Sequence, residues 1–105
     1  MNCEKFDFVA AVAASLRRLG AREGGPYGWR INTIAGVLDI KPFDTWIACR
    51  FDDVDLAKAK IGFGCLNRYS GKWNWHFEKP DTNDVEFFAE QIERMLETAP
   101  ALREG

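Results

Sequence analysis

The stretch Thr45-Trp46-Ile47-Ala48-Cys49-Arg50-Phe51 is the clearest strand in the chain and the segment from which the fold is best read. It is rich in aromatic and β-branched residues, which favour a pleated, half-buried surface. Upstream, apolar and polar residues alternate over 29–32, and after a break at Ala35-Gly36 the strand pattern resumes over 37–40. These two segments predict a hairpin that turns near Gly36, although a single bulged strand also fits the pattern.

A second hairpin is predicted downstream, with strands over 64–68 and 73–77 and a turn at Tyr69-Ser70-Gly71-Lys72. In the last of these strands the three aromatic residues occupy one face, and Asn74 and His76 occupy the other. The segment 21–28 contains three glycines and a proline and is predicted to be a loop.

Helices are predicted at both ends of the chain. Apolar residues recur at helical spacing over 4–19, with Asn2 as the N-cap and Gly20 at the C-terminal end, and again over 84–98. Acids over 52–55 predict the start of a short helix between the two hairpins. The sequence therefore predicts an α+β fold: a single antiparallel sheet of about five strands, with the N- and C-terminal helices packed on one face and a short helix between strands.

Length and composition limit the class of protein. At 105 residues with 47% hydrophobic residues, the chain is predicted to form a single globular domain over 1–105. No apolar run approaches the roughly 20 residues that span a bilayer, so no membrane partner is expected. Acids occur within the first seven residues, where a signal peptide would carry only bases, and we therefore expect a cytoplasmic location.

Motifs for catalysis, metals or cofactors are absent from the sequence. There is one histidine, and three cysteines occur without a CxxC pair, so no metal and no cofactor is expected. Neither a phosphate-binding glycine motif nor a nucleophile–base pair stands out. Catalytic residues can assemble from distant parts of a chain, but an enzyme, with His76 as acid or base, is the least favoured of three function classes.

The outer face of the predicted sheet is the first candidate surface. Trp46, Arg50, Asn74 and His76 should lie there, with Arg30 and Asn32 as neighbours. Arginine beside aromatic rings can stack single-stranded bases or anchor a protein partner. The alternative is a partly solvated sheet face on which arginine stems cover apolar surface. A nucleic-acid-binding module would use Arg30, Trp46, Arg50 and His76.

The second candidate surface is a stripe of glutamates on the last helix, at Glu86, Glu90, Glu93 and Glu97. Their spacing of four, three and four places them in one row. Such a row could present carboxylates to the basic groove of a nucleic-acid-binding protein as a phosphate mimic. The alternative is a solvated face that keeps the protein in solution.

The blocks 46–51 and 66–76 resemble small uncharacterised accessory proteins carried by phages and other mobile elements, among which are anti-CRISPR inhibitors. The resemblance implies an accessory role that acts by binding a protein, and it assigns no residue a role. The leading hypothesis is a protein-binding inhibitor of a nucleic-acid-binding machine, in which the four glutamates contact the partner and Trp46, Arg50 and Tyr69 are anchors. Binding of nucleic acid through the sheet face is the alternative. A homodimer formed through an uncovered sheet face also remains open.

Overall fold

A computed structural model describes residues 6–56, 65–67 and 72–102. For residues 65–67 only the backbone is described. The short helix α2 is described over 54–56. The other elements are α1 (Phe8–Arg18), β1 (Arg22–Glu23), β2 (Trp29–Thr33), β3 (Gly36–Pro42), β4 (Trp46–Phe51), β5 (Cys65–Asn67), β6 (Lys72–His76) and α3 (Thr82–Thr98).

The strands form one antiparallel sheet in the order β1-β2-β3-β4-β6-β5. The predicted strand at 45–51 is β4, which lies inside the sheet between β3 and β6. The first hairpin is also confirmed, since Thr33 pairs directly with Gly36 across a two-residue turn. Gly36 has a φ of 129°, and a Cβ there would lie 2.6 Å from the Cβ of Asp52, so this turn requires glycine.

The outer edge of β2 differs from the prediction. The segment 21–28 was expected to be only a loop, but it contains β1, a two-residue strand that pairs with Trp29 and Arg30. Residues 100–102 continue the cover: the Ile34 N–H donates to the Pro100 carbonyl (3.1 Å), and the Leu102 N–H donates to the Asn32 carbonyl (2.7 Å). Two short segments thus satisfy backbone groups that an exposed edge strand would leave open.

The start of α1 differs from the prediction. The helix begins at Phe8, with Asp7 as its N-cap in an extended conformation, so the prediction of a helix running from residue 4 through residues 6 and 7 was wrong there. The predicted cap at Asn2 lies outside the described residues. The Asp7 carboxylate accepts a hydrogen bond from the Ala10 N–H (3.0 Å), which satisfies a backbone donor of the first turn. The end of the helix agrees with the prediction, because Gly20 has a φ of 94° and the Ala21 N–H donates back to the Leu16 carbonyl (2.9 Å).

The final helix starts two residues earlier than predicted. Asp81 is the N-cap of α3 and forms a reciprocal pair with Asp84: each carboxylate accepts a hydrogen bond from the backbone N–H of the other, at 3.0 and 3.1 Å. At α2, the Asp53 carboxylate accepts from the Leu56 N–H (2.9 Å), as expected for an acidic helix cap.

The hydrophobic core lies between one face of the sheet and the two long helices. Phe88 of α3 is fully buried and meets Trp75 of β6 edge-on, with ring centroids 5.3 Å apart. Other buried members come from α1, α3 and every second residue of the strands: Val12, Leu16, Ile92, Met95, Ile31, Leu38, Ile40, Ile47, Cys49, Phe51 and Trp73. The predicted α+β fold with both terminal helices on one face is confirmed, and no described helix packs on the other face of the sheet.

Candidate functional site

Strand register places charged side chains in a line across the outer face of the sheet. Directly paired residues point to the same side, with Cβ atoms about 5 Å apart. Arg30 pairs with Asp39, Asp39 with Arg50, and Arg50 with Lys72, while Arg22 pairs with Arg30 at the edge. We call the four cations the basic row: Arg22, Arg30, Arg50 and Lys72. Three of the four are exposed, and Arg30 is half-buried.

One carboxylate lies within this line of cations. Asp39 is buried, and its side chain is only 6% exposed, against 38% for Arg30. The Arg30 Nε donates to Asp39 Oδ1 at 2.8 Å, and Nη2 donates to Oδ2 at 3.3 Å. This hydrogen bonding, together with the charge of Asp39, raises the pKa of the Arg30 guanidinium above its ordinary value, so Arg30 is a permanent cation.

Aromatic rings form the second feature of the outer face. The rings of Phe43, Trp46 and His76 lie nearly parallel, with Phe43–Trp46 centroids 4.1 Å apart at 6° and Trp46–His76 centroids 5.4 Å apart at 13°. We call these three rings the aromatic stack. The Phe43 N–H donates to the Trp46 carbonyl (2.7 Å) in the turn before β4, and Trp46 pairs with His76 across β4 and β6. The Lys41 ammonium lies 5.3 Å from the Phe43 ring centroid, within cation–π range.

The basic row and the aromatic stack share the same two strands. Trp46 and Arg50 are four residues apart on β4, and His76 and Lys72 are four apart on β6. At roughly 3.4 Å per residue, the two features lie about 14 Å apart on one face. Between them, Ala48 pairs with Asn74. One face of the sheet therefore offers cations at one end and aromatic rings at the other.

The sequence-predicted sheet-face residues lie together as expected. Trp46, Arg50, Asn74 and His76 share the outer face with Arg30 and Asn32. Four further residues of this face were not predicted from the sequence: Arg22, Asp39, Lys41 and Phe43. They lie on this face because of the strand register and the turn before β4. The alternation over 37–40 was a usable signal for Asp39, since it places that residue opposite the inward Leu38 and Ile40. Tyr69 lies outside the described residues.

The glutamate stripe lies on the opposite side of the molecule. Glu86, Glu90, Glu93 and Glu97 are all exposed on α3, which packs its other face on the core. Arg94 Nη2 lies 2.8 Å from Glu90 Oε1, an exposed i, i+4 ion pair. The predicted single row is therefore present. The helix layer carries acidic charge outward while the outer sheet face carries basic charge.

Groups suited to covalent or metal chemistry are few in the described part of the chain. The Cys49 thiol is fully buried, and this burial raises its pKa well above the ordinary value, so it stays protonated at neutral pH. Residues 6–56, 65–67 and 72–102 contain no cluster of three or more His, Cys, Asp or Glu side chains that could hold a metal ion. Nor does any helix within those ranges combine the length and apolar character needed to cross a membrane.

Comparisons with protein-family models, with curated proteins and with solved structures find no match to this chain. Its function is therefore inferred from the geometry and chemistry of its own surfaces.

Proposed function

We propose that the outer sheet face binds single-stranded nucleic acid, with the basic row contacting phosphates and the aromatic stack offering a ring surface to a base. The observation that carries this proposal is the shared placement of Trp46 and His76 with Arg50 and Lys72 on two neighbouring strands. Proteins that bind single strands combine a positively charged track for the backbone with aromatic side chains on which bases stack.

The low net charge of the chain is compatible with this proposal because the charge is unevenly placed. The formal net charge is −2, but four of the 16 acidic residues are the stripe glutamates of α3, which lie on the far side of the core from the outer sheet face. A polyanion near the surface interacts most strongly with the closest charges, because salt screens its interactions with charges farther away than about 8–10 Å. The outer sheet face therefore acts as a basic surface on a mildly acidic protein.

The stack favours single strands over duplexes. A base can extend a row of parallel rings only if its own face is exposed, and duplex bases are already stacked on their neighbours. The interplanar angles of 6° and 13° within the stack show rings already arranged face to face rather than edge to face. Each base stacked on an aromatic ring contributes about 1–3 kcal/mol in proteins of this kind.

Binding of a labelled single strand of roughly 16 nucleotides tests the proposal. We expect affinity to fall with salt, with a slope of log K against log salt of about −1.4 to −2.8, because each of two to four neutralised phosphates contributes about −0.7. Trp46→Ala should weaken binding by about 5- to 100-fold while leaving that slope unchanged, because the ring neutralises no phosphate.

The matched control is Phe87→Ala, which removes a partly exposed aromatic ring from the helix layer. This variant should bind as the parent protein does. If the parent protein failed to bind the strand even at the lowest salt tested, or if a duplex of the same length bound equally well, single-strand binding through this face would be rejected.

A second candidate function is supported by the exposure of all four stripe glutamates in one row. A protein partner with a basic groove, such as the nucleic-acid-binding machine that an anti-CRISPR-type inhibitor would block, matches that charge. The immobilised parent protein should retain a partner protein from a bacterial lysate even after nuclease treatment. We expect this partner to be lost when four residues are changed to Lys: Glu86, Glu90, Glu93 and Glu97. Retention by both proteins would rule out the phosphate-mimic role, and a partner that disappears on nuclease treatment would favour the sheet face.

A further inference from the structure

We propose that Asp39 is a positioning residue that presets the Arg30 guanidinium as a phosphate-binding fork on the outer sheet face. This inference rests on the proposed binding of single strands and adds a role for a residue that carries the charge opposite to its neighbours. The starting observation is that the side chain of Asp39 is only 6% exposed, although it lies between the cations Arg30 and Arg50 on the outer face of the sheet.

The hydrogen bonds between the two side chains fix the orientation of Arg30. They engage Nε and one N–H of Nη2, at 2.8 and 3.3 Å. An arginine has five N–H donors, so both N–H groups of Nη1 and the second of Nη2 are not used by Asp39. Planar pairs of N–H groups match the geometry of two phosphate oxygens. An arginine anchored along one edge can therefore present another edge to a phosphate.

The glycine loop before β2 holds the pair in place from outside. The Gly24 N–H donates to the Gly28 carbonyl (2.9 Å), and Gly25 has a φ of 75°. A Cβ at Gly25 would lie 2.9 Å from Asp39 Oδ1 and 3.0 Å from Arg30 Nε. The backbone at position 25 therefore lies directly against the ion pair, which limits the access of water and the rotamers open to Arg30.

Two effects of Asp39 on binding have opposite signs. As a bare negative charge, Asp39 repels a phosphate, so its removal should tighten binding. As an anchor, it removes rotamer freedom from a long side chain before the ligand arrives, and ordering such a side chain on binding costs about 0.5–1.5 kcal/mol. Because the Asp39 charge is already paired at 2.8 Å and covered from solvent, we expect the anchoring effect to be the larger.

Asp39→Asn and Arg30→Lys separate these effects when both are measured with the single strand of roughly 16 nucleotides. Asparagine keeps the shape of Asp39 but has one acceptor oxygen in place of two and no charge, and lysine keeps the charge of Arg30 but not its planar set of N–H donors. We expect each variant to bind about 3- to 10-fold more weakly, and the double variant to lose little more than either single one. The salt slope of Asp39→Asn should stay close to that of the parent protein, because Arg30 can still contact the phosphate and only the cost of ordering its side chain rises.

Several results would overturn the inference. Tighter or unchanged binding by Asp39→Asn would make the carboxylate an ordinary opposing charge. Weaker binding with a lower melting temperature, without a matching loss of affinity in Arg30→Lys, would make it only structural. Should Asp39→Asn fail to fold, Arg30→Lys decides, because unchanged affinity there excludes a preset fork. If the parent protein fails to bind the strand, the proposed function itself is rejected. If the parent binds and Arg50→Glu lowers the affinity but Arg30→Lys does not, only the role of Asp39 is rejected.

Discussion

The double variant Arg50→Glu with Lys72→Glu is expected to lose single-strand binding by a factor on the order of 100 or more. The two residues are directly paired on β4 and β6, and both are exposed at one end of the basic row. Each reversal would remove a proposed phosphate contact and add a repulsive charge, and charges near a protein surface interact by about 1–4 kcal/mol at contact distance. The loss should shrink as salt rises, because the interactions removed are screened.

A control with the same change in net charge makes this result specific to the sheet face. Arg17→Glu with Arg94→Glu reverses two cations of the helix layer whose side chains are 63% and 57% exposed. These residues make exposed ion pairs, each of which contributes less than about 1 kcal/mol to stability. We expect this control to change affinity by less than about threefold. Equal losses in the two double variants would mean that binding follows net charge alone, which contradicts a defined interface.

Phe88→Ala is expected to lower the free energy of unfolding by about 3–5 kcal/mol. Phe88 has no exposed surface and packs edge-on against Trp75 between α3 and the sheet. Truncation would remove apolar burial and leave a cavity among side chains that cannot all move to fill it. Because domains of this size are stable by only about 5–15 kcal/mol, the melting temperature should fall by on the order of 15 °C or more.

The neighbouring phenylalanine is the matched control for this substitution. Phe87 is 45% exposed on the same helix, and Phe87→Ala should cost less than about 1 kcal/mol. Chemical denaturation of both variants, with the midpoint and slope fitted together, measures the difference. Similar losses for the two positions would contradict the placement of α3 on the core.

The α+β fold could be predicted because hydrophobic periodicity fixes which side chains turn inward. Alternation in β4 and β6 correctly placed Ile47, Cys49, Trp73 and Trp75 in the core and Arg50 on the other side. The helical stripe of α3 likewise placed its glutamates outward. These patterns can be read from short stretches of sequence. They are pronounced because burial of a continuous apolar face is the largest favourable contribution to folding.

The remaining features depend on interactions between distant segments. The basic row exists because the register pairs Arg30, Asp39 and Arg50 on three strands, and register cannot be read from one strand alone. Phe43 joins the aromatic stack through a turn whose geometry no periodicity encodes. The N-cap of α1 was misassigned because Asn2 and Asp7 are both acceptable capping residues, and the local pattern does not decide between them.

The opposed charge of the two layers has a kinetic consequence. A molecule that is basic on its sheet face and acidic on α3 experiences a torque in the field of a polyanion, so it should turn its sheet toward the proposed single-stranded ligand before contact. At an ionic strength near 0.01 M, fields extend about 30 Å, and the net charge of −2 opposes the approach of the whole molecule. Near 0.15 M the fields extend about 8 Å, so the polyanion interacts only with the charges of the nearest face. Association should therefore be fastest at intermediate ionic strength, whereas dissociation should quicken steadily as salt is added.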